Sequence, residues 1–480
     1  MSSKTLLSGL AASAIGAHLL SHSPSVDAAP KPQPQSTAMS VKPVAPAVKI
    51  DAGGGAVAYL VESHELPLVD MSFSLRTGSS FDPPAKLGLA RVVGRMLRRG
   101  ATDWTGDRIE EMSDRYGGEI SVDVAASTIT VHAQVIRRNL EPFMKLLTAL
   151  VVSPTFPADE LARLQRETVA EIIEARDSDR SLANRFFRKA IFGAHPYGRG
   201  SQGTTKTIPT ITRDDVVGFH QLHFRRGNVV VGVSGDVTED DVKKLILPLV
   251  SAMPAGATES DATPEPTIPK GRRLVFVDKP ARTQTQIMIG GLGTRADDPD
   301  HVALHVANTV FGGTFTARLM KEVRSKRGWS YGAYSRLPID RRREAFSIWT
   351  FPAANDAASC IALELDLLKA LVNDGITDDE LTFAKSYLSE SYAFDIDTPY
   401  KRVRQAVDEE LFALPADYHT GYVKHVLSVP LAAANQAIKT RISLDDFVVV
   451  VVGTASELKD AVAKAIPNLT STEVIPFEQE

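Results

Sequence analysis

The chain contains the same order of predicted elements twice, and this repeat constrains its fold more than any other feature. Each copy begins with alternating strand patterns, "AVAYLVES" and "VDMSFSLRTGS" in the first and "RLVFVDK" and "TQTQIMIGGLGTR" in the second. The segment "HELP" between the first two strands predicts a hairpin. Each copy continues with helical patterns and closes with a valine-rich strand and a helix. We therefore predict a duplicated α+β fold, in which each of two homologous domains is a mostly antiparallel sheet with helices packed on one face.

Changes in composition mark the limits of the two copies. Residues 254–271 are rich in Pro, Gly, Ala and Thr and show no apolar periodicity, which predicts a linker. The two domains are therefore expected at residues 48–253 and 272–470. Residues 471–480 are expected to form a tail.

The N-terminal segment has the pattern of an export signal. Lys4 precedes a mostly apolar run at Leu6–Leu20, and the small residues near Ala28 suit cleavage. We expect residues 1–28 to be a signal peptide and residues 29–47 a Pro-rich disordered spacer. The protein would then be periplasmic or secreted. An uncleaved signal anchor in the membrane is the alternative. No later apolar run is long enough to span a bilayer.

Charge and cysteine content exclude several classes of protein. The net charge is −4, with 54 Lys and Arg against 58 Asp and Glu, so nucleic acid is not an expected partner. The single cysteine, Cys360, excludes an intrachain disulfide and a cysteine metal cluster.

The segment "KLGLARVVGRMLRRG", residues 86–100, predicts an amphipathic helix. Its apolar residues recur at i, i+3, i+4, i+7 and i+8, which places them on one face. These residues are Leu89, Val92, Val93, Met96 and Leu97. The arginines of the other face could be solvated, could pair with glutamates of the next helix, or could contact carboxylates of a substrate or partner.

In the order and spacing of its segments, the chain resembles the insulinase/pitrilysin family of zinc peptidases, and specifically its bacterial two-domain branch. Four segments carry the resemblance: "TGSSFDPPAKLGLARVVGRMLRRGA", "AHPYGRGSQGT", "FHQLHFRRGNVVVGVSGDV" and "FGGTFTARLMKEVRSKRGWSYGAYS". The resemblance covers essentially the whole chain after the export signal. It implies that the two domains together form half of a peptidase clamshell.

Active members of this family carry the inverted zinc motif H-x-x-E-H on the helix at residues 86–100. The matching positions here are Arg91, Gly94 and Arg95. Arginine has no lone pair for a metal, so the resemblance implies no metal in this chain. The family's third ligand is a later Glu. Counting from Arg95 reaches Glu171, whereas matching the downstream "DSDRSLAN" points to Ile172.

The second copy retains a different feature of the family. "EVRSKRGWSY" contains Arg324 and Tyr331 at the spacing of the family's Arg/Tyr pair. The resemblance implies that this pair binds the substrate backbone and stabilises an oxyanion in trans. A helix-end Arg in an ion pair and a Tyr packed on the sheet is the alternative. Phe315, Arg318 and, on the first-copy helix, Arg98 are further candidate contacts in the cleft.

These features predict the non-zinc subunit of an exported insulinase-family metallopeptidase. It would be inactive alone and would form a heterodimer with a zinc-bearing homologue that hydrolyses peptides. Zinc is thus expected in the partner, and no cofactor is expected in this chain. The alternative is a non-catalytic structural or peptide-binding homologue with an assembly role. A third hypothesis is a different metal held by His301 and His305, four residues apart on a predicted helix.

Overall fold

Two six-stranded sheets organise the chain in the computed structural model, which describes residues 45–257 and 261–480. The predicted signal peptide and residues 29–44 of the predicted spacer lie outside this range. Within it, no helix is both long enough and apolar enough to cross a membrane.

The elements of the first half alternate between strands and helices. Its strands are β1 (Val48–Gly53), β2 (Ala56–Glu62), β3 (Leu68–Leu75), β4 (Gly100–Ala101), β5 (Trp104–Thr105), β6 (Gly118–Val124), β7 (Ile129–Ile136) and β8 (Val229–Gly235). Its helices are α1 (Leu89–Met96), α2 (Gly106–Tyr116), α3 (Leu140–Val152), α4 (Ala158–Glu174), α5 (Asp179–Phe192), α6 (Arg213–His223), α7 (Glu239–Asp241) and α8 (Leu247–Ala252).

The second half repeats this plan. Its strands are β9 (Arg272–Asp278), β10 (Gln286–Leu292), β11 (Ala333–Arg336), β12 (Ala345–Thr350), β13 (Phe447–Gly453) and β14 (Leu469–Pro476). Its helices are α9 (His301–Asn308), α10 (Ala357–Asp374), α11 (Asp378–Ser391), α12 (Pro399–Phe412), α13 (Tyr422–Ser428), α14 (Leu431–Arg441) and α15 (Ala455–Lys464).

Both sheets are mostly antiparallel, which confirms the predicted fold class. The strand order is β1-β2-β8-β3-β7-β6 in the first sheet and β11-β12-β10-β13-β9-β14 in the second. Parallel pairs form only where β8 meets β2 and where β9 meets β13 and β14, among the described strands.

The predicted hairpin between β2 and β3 is wrong. β8 lies between these strands, parallel to β2 and antiparallel to β3, and β13 likewise separates β9 from β10. Every residue of β13 and all but the last of β8 are buried. A valine-rich strand that is apolar on both faces is most stable in the middle of a sheet, so the alternating strands pair on either side of it.

The predicted tail also differs from the structure. Residues 469–476 form β14, which pairs in parallel with β9 and so extends the second sheet beyond residue 470. Ile475 is buried there and belongs to a core cluster that includes Val277. An edge strand with one buried side chain leaves little apolar periodicity in the sequence.

Each half places one helix on the sheet of the other half. α5 of the first half packs on β9, β10 and β13, where Phe186 and Phe187 join a core cluster with Val450. α12 of the second half packs on β2 and β8, where Val403 and Val407 meet valines of the first sheet. Each sheet is therefore completed by its partner half as well as by its own helices.

Ion pairs also join the two halves. Arg188 forms a bidentate pair with Glu344 at 2.8 and 2.9 Å, and Lys279 Nζ lies 2.6 Å from Asp179. Arg188 and Asp179 both lie on α5, so these ion pairs flank the apolar contact of that helix with the second sheet. The relative position of the two halves is thus set by packing together with charge.

Candidate functional site

The N-terminus of helix α1 is capped by residues that precede it. Gly88 precedes it with φ 94°, a left-handed conformation that favours glycine. The Asp82 carboxylate accepts hydrogen bonds from the backbone amides of Gly88 and Ala90 at 2.7 and 2.8 Å. Burial raises the pKa of Asp82 to about 7 despite these bonds. The start of the motif helix is therefore fixed by a buried acidic side chain.

The position that matches the family's catalytic Glu is closely packed. A Cβ on Gly94 would lie 3.0 Å from Cγ1 of Val122 and 3.1 Å from Cγ2 of Val124, both on β6. These contacts are tighter than an ordinary van der Waals distance. The glycine lets α1 approach the sheet at this point.

Arg95 occupies the second His position of the motif and is fully paired. Its guanidinium makes two 2.8 Å bonds to the Glu171 carboxylate and donates a 3.1 Å bond to Oγ1 of Thr168. Ile172, the other candidate for the family's third ligand, is buried in the core. The structure thus brings Glu171, rather than Ile172, to the motif helix.

The neighbouring arginines are paired as well. Arg99 lies 2.6 Å from Glu167 and 3.1 Å from Glu160 of α4, and Arg98 pairs with Glu110 of α2 at 2.7 Å. Pairing with glutamates of the next helix was one of the three interpretations of the arginine face, and it describes Arg98. Arg95 and Arg99 instead pair with glutamates of α4. Arg91 contacts no carboxylate among the described residues, and its buried Nε has no hydrogen-bond acceptor there.

The residues at this position do not fit a zinc ion. Two guanidinium groups replace the imidazole ligands, and the remaining carboxylate, Glu171, is held by Arg95. Within the described part of the chain, no three or more His, Cys, Asp or Glu side chains converge as a possible metal site.

A different arrangement surrounds Arg324 in the second half. Arg324 lies on a π-helical turn, Met320–Ser325, a type of turn that is frequent at functional sites. Its guanidinium carbon lies 4.3 Å from the ring centroid of Tyr331 and 4.5 Å from that of Phe315. These two rings are 76% and 64% exposed. We call Phe315, Arg324 and Tyr331 the aromatic clamp.

The aromatic clamp does not match the alternative of an ion-paired Arg and a packed Tyr. Among the described residues, Arg324 contacts no carboxylate, and the Tyr331 ring projects into solvent. Arg318, a further candidate, is instead paired: it bonds Glu380 at 2.7 and 2.5 Å and donates to the Gly375 carbonyl at 2.9 Å. The candidate cleft cation of the second half is therefore Arg324.

His301 and His305 form a polar core with two tyrosines. His301 Nε2 lies 3.0 Å from the Tyr418 hydroxyl, and His305 Nε2 lies 3.0 Å from the Tyr422 hydroxyl. Nδ1 of His301 lies 2.8 Å from Oγ1 of Thr294. Each imidazole is thus engaged by hydroxyls, which makes a structural role the better interpretation than a metal site.

This histidine core predicts loss of stability in acid. Burial is the largest cause that lowers the pKa of His301, to about 4, below the ordinary value of about 6.5. The unfolded chain therefore binds the proton first, and the contribution of His301 to stability is lost as the pH falls from about 6.5 towards 4. The difference in unfolding free energy between wild type and His301→Gln should shrink by roughly 3 kcal/mol from pH 7.5 to 4 in urea titrations. An equal difference at both pH values would contradict this assignment.

Sequence analysis did not single out Phe383 and Tyr387 on α11. Their rings are stacked with centroids 6.2 Å apart and are 46% and 43% exposed. Comparison of the two copies of the repeat could have found them, because the sequence "DEL" occurs in both α4 and α11 and aligns the two helices. Aligning the two copies on "DEL" sets Phe383 opposite Arg163 and Tyr387 opposite Glu167, so an exposed aromatic pair replaces charged residues.

Two protein-family models match the chain. The model for the insulinase family, peptidase family M16, matches residues 59–205. The model described as the peptidase M16 inactive domain matches residues 210–388. The two matches follow each other without overlap across most of the described range.

Curated relatives include proteins named as peptidases and as non-peptidases. An uncharacterized zinc protease of Mycobacterium leprae is 27% identical over 314 residues, which cover 65% of this chain and 70% of the relative. The non-peptidase homolog YmxG of Helicobacter pylori is 21% identical over 393 residues, which cover 82% of this chain and 90% of the relative.

Solved structures share the fold. A peptidase M16 inactive domain from Pseudomonas fluorescens superposes with a TM-score of 0.80 and 28% identity, over 85% of this chain and 97% of that one. The periplasmic protease PqqL from Escherichia coli matches with a TM-score of 0.72 and 16% identity. That match covers 90% of this chain but 51% of PqqL, so PqqL is about two such units long.

Proposed function

Because the chain belongs to the insulinase family, peptidase family M16, and lacks that family's zinc motif, we propose that it is the non-zinc subunit of an exported peptidase of the family. It pairs with a zinc-bearing homologue that hydrolyses peptides. Its own contribution to the shared site is Arg324 and Tyr331.

The aromatic clamp is the observation that carries this proposal. Arginines with structural roles in this chain, such as Arg95, Arg99 and Arg318, are neutralised by carboxylates. Arg324 is held by two rings instead, through cation–π contacts that leave its charge uncompensated. A pre-positioned cation without a counter-charge suits a group on which negative charge develops.

In the paired enzyme, each residue of this chain would have a distinct task. The Arg324 guanidinium binds a carbonyl oxygen of the peptide, and the Tyr331 hydroxyl donates a hydrogen bond to the oxyanion that forms there. Gly94 offers no side chain that could act as a base, so this chain takes no proton from water at the motif helix. Zinc in the partner would supply the activated water.

One comparison and one sequence pattern support the proposal of a paired, exported protein. PqqL, a periplasmic protease by its title, is about twice as long as the matched part of this chain, which is the length expected for a complete clamshell. The N-terminal export pattern agrees with a periplasmic or secreted location. The open edges of the sheets at β6 and β11 could accept an extended peptide as an added strand.

The test is to express residues 29–480 alone and together with the most similar zinc-motif homologue. An unfolded peptide with a quenched fluorophore is then incubated with each preparation, with and without a chelator. We expect no cleavage by the isolated chain and chelator-sensitive cleavage by the pair. Cleavage by the isolated chain would contradict the proposal.

A non-catalytic structural or peptide-binding role is the second candidate. It is favoured by the relative named a non-peptidase homolog and by the complete ion pairing of Arg95. Absence of cleavage by both preparations, together with retained peptide binding by the isolated chain, would establish this role instead.

A further inference from the structure

A groove of about 520 Å³ lies beside the aromatic clamp in the second half. Four of the residues that line it are apolar, namely Val310, Ala317, Leu367 and Phe383. We call it the second-half groove. The other residues that line it are threonines and charged residues.

The second-half groove and the aromatic clamp share one loop and one helical turn. Thr314, Thr316 and Ala317 line the groove, whereas Phe315 contacts Arg324. On the following turn, Lys321 lines the groove, and Arg324 belongs to the clamp. Phe315 is the chain neighbour of both groove threonines, about 3.8 Å from each at Cα, and adjacent residues of a bound peptide have this same spacing.

The first half has a charged groove that contains the position matching Phe383. A groove of about 360 Å³ lies along α1 and is lined by Arg95, Arg99 and Arg163. Arg163 pairs there with Glu160 at 2.7 Å. Alignment of the two copies on "DEL" sets Phe383 at the position of Arg163. The fold therefore accepts a charged residue at this site, and the exposed aromatic ring of the second half is not required by the helix.

The charged residues that line the second-half groove offer no excess of one sign, because Lys321 and Asp379 carry opposite charges and the others are ion-paired. Arg318 pairs with Glu380 at 2.5 Å, and Glu322 pairs with Lys326 at 2.6 Å and Arg327 at 2.9 Å. A charged ligand side chain would therefore meet no excess of opposite charge, whereas burial of an apolar side chain against Phe383 is favourable.

We infer that the second-half groove binds an apolar side chain, best an aromatic one, of the extended peptide whose backbone meets the aromatic clamp. The inference rests on the proposed role of the clamp in holding a peptide. It assigns side-chain selectivity to the non-zinc subunit, on the face formed by α11 and the turn Met320–Ser325.

Peptide binding to the isolated chain tests the inference without the partner. The probes are two fluorescein-labelled, Gly/Ser-rich peptides of about 12 residues that differ only in a central Phe or Ser. We expect the Phe peptide to bind about 10-fold or more tightly in fluorescence anisotropy, because burial of a Phe side chain contributes roughly 1.5–3 kcal/mol. Equal affinities would overturn the inference.

A double variant tests whether the preference for the Phe peptide arises at the second-half groove. Phe383→Arg with Tyr387→Glu copies the residues of the first half, and it should remove the preference for Phe while leaving the urea midpoint unchanged. The matched control is Leu222→Arg on α6, which removes a similarly exposed apolar side chain elsewhere. An unchanged preference in the double variant would overturn the inference. If the isolated chain prefers the Phe peptide but the reconstituted pair does not cleave peptides, the proposed catalytic role is overturned and the inferred side-chain preference stands.

Discussion

Replacing Arg324 with alanine in the reconstituted pair should lower kcat by roughly 10²–10³-fold, because a pre-positioned charge that meets a developing oxyanion contributes about 2.7–4 kcal/mol. Tyr331→Phe removes one hydrogen-bond donor and keeps the ring that contacts Arg324, so its expected loss is roughly 10–10³-fold. Both changes should affect kcat more than KM, because the interaction is strongest in the transition state. The measurement is steady-state cleavage of the quenched peptide.

Arg327→Ala is the matched control for this pair of variants. Arg327 follows the same helical turn, but its guanidinium is paired with Glu322 at 2.9 Å. Its loss should leave kcat unchanged within about twofold, as expected for an exposed ion pair. Wild-type turnover in the Tyr331→Phe pair would refute the contribution in trans.

Phe187→Ala should lower the unfolding free energy by roughly 3–5 kcal/mol, because it leaves a cavity where α5 packs on the second sheet. Phe187 is 1% exposed and belongs to the core cluster formed by α5 and the second sheet. Its ring also lies 2.9 Å from where a Cβ on Gly290 would be, so the packing there is close. Urea titration followed by fluorescence gives the free energy.

The control for this change is Phe394→Ala, which removes a largely exposed ring and should shift the unfolding free energy by less than about 0.5 kcal/mol. A loss below about 1 kcal/mol in Phe187→Ala would show that the contact of α5 with the second sheet contributes little to stability. A second unfolding transition in that variant would show that the two halves had become separately cooperative.

The repeat was readable in the sequence because helix and strand periodicities depend on local residue order. The fold class followed from it, and the order and spacing of four segments indicated the family. Counting from Arg95 reached Glu171, but matching the downstream segment pointed to Ile172, and the structure pairs Glu171 with Arg95. Strand pairing did not follow, because β8 is more than 150 residues from β2 in the chain, and its central place depends on burial of both faces. The edge strand β14 was missed for a related reason, since only Ile475 is buried along it.

The aromatic clamp was likewise predictable from the sequence only in part. Arg324 and Tyr331 could be paired by their spacing in the sequence, whereas the contact of Phe315 with the same cation is visible only in the structure. Arg318 shares the same sequence context but is neutralised by Glu380, which lies 62 residues away. Sequence spacing identifies candidate cations, but the counter-charges that separate structural from functional ones come from distant segments.

The exchange of α5 and α12 between the halves is expected to delay folding during synthesis. Val61 and Val230 of the first sheet are covered by Val403, Val407 and Leu411, which are made more than 170 residues after Val230. Until α12 leaves the ribosome, an apolar sheet face stays without its cover, and the long-range contacts that close it keep the chain slow to fold. Because its apolar sheet face stays open until α12 is made, we expect the nascent first half to need a holding chaperone.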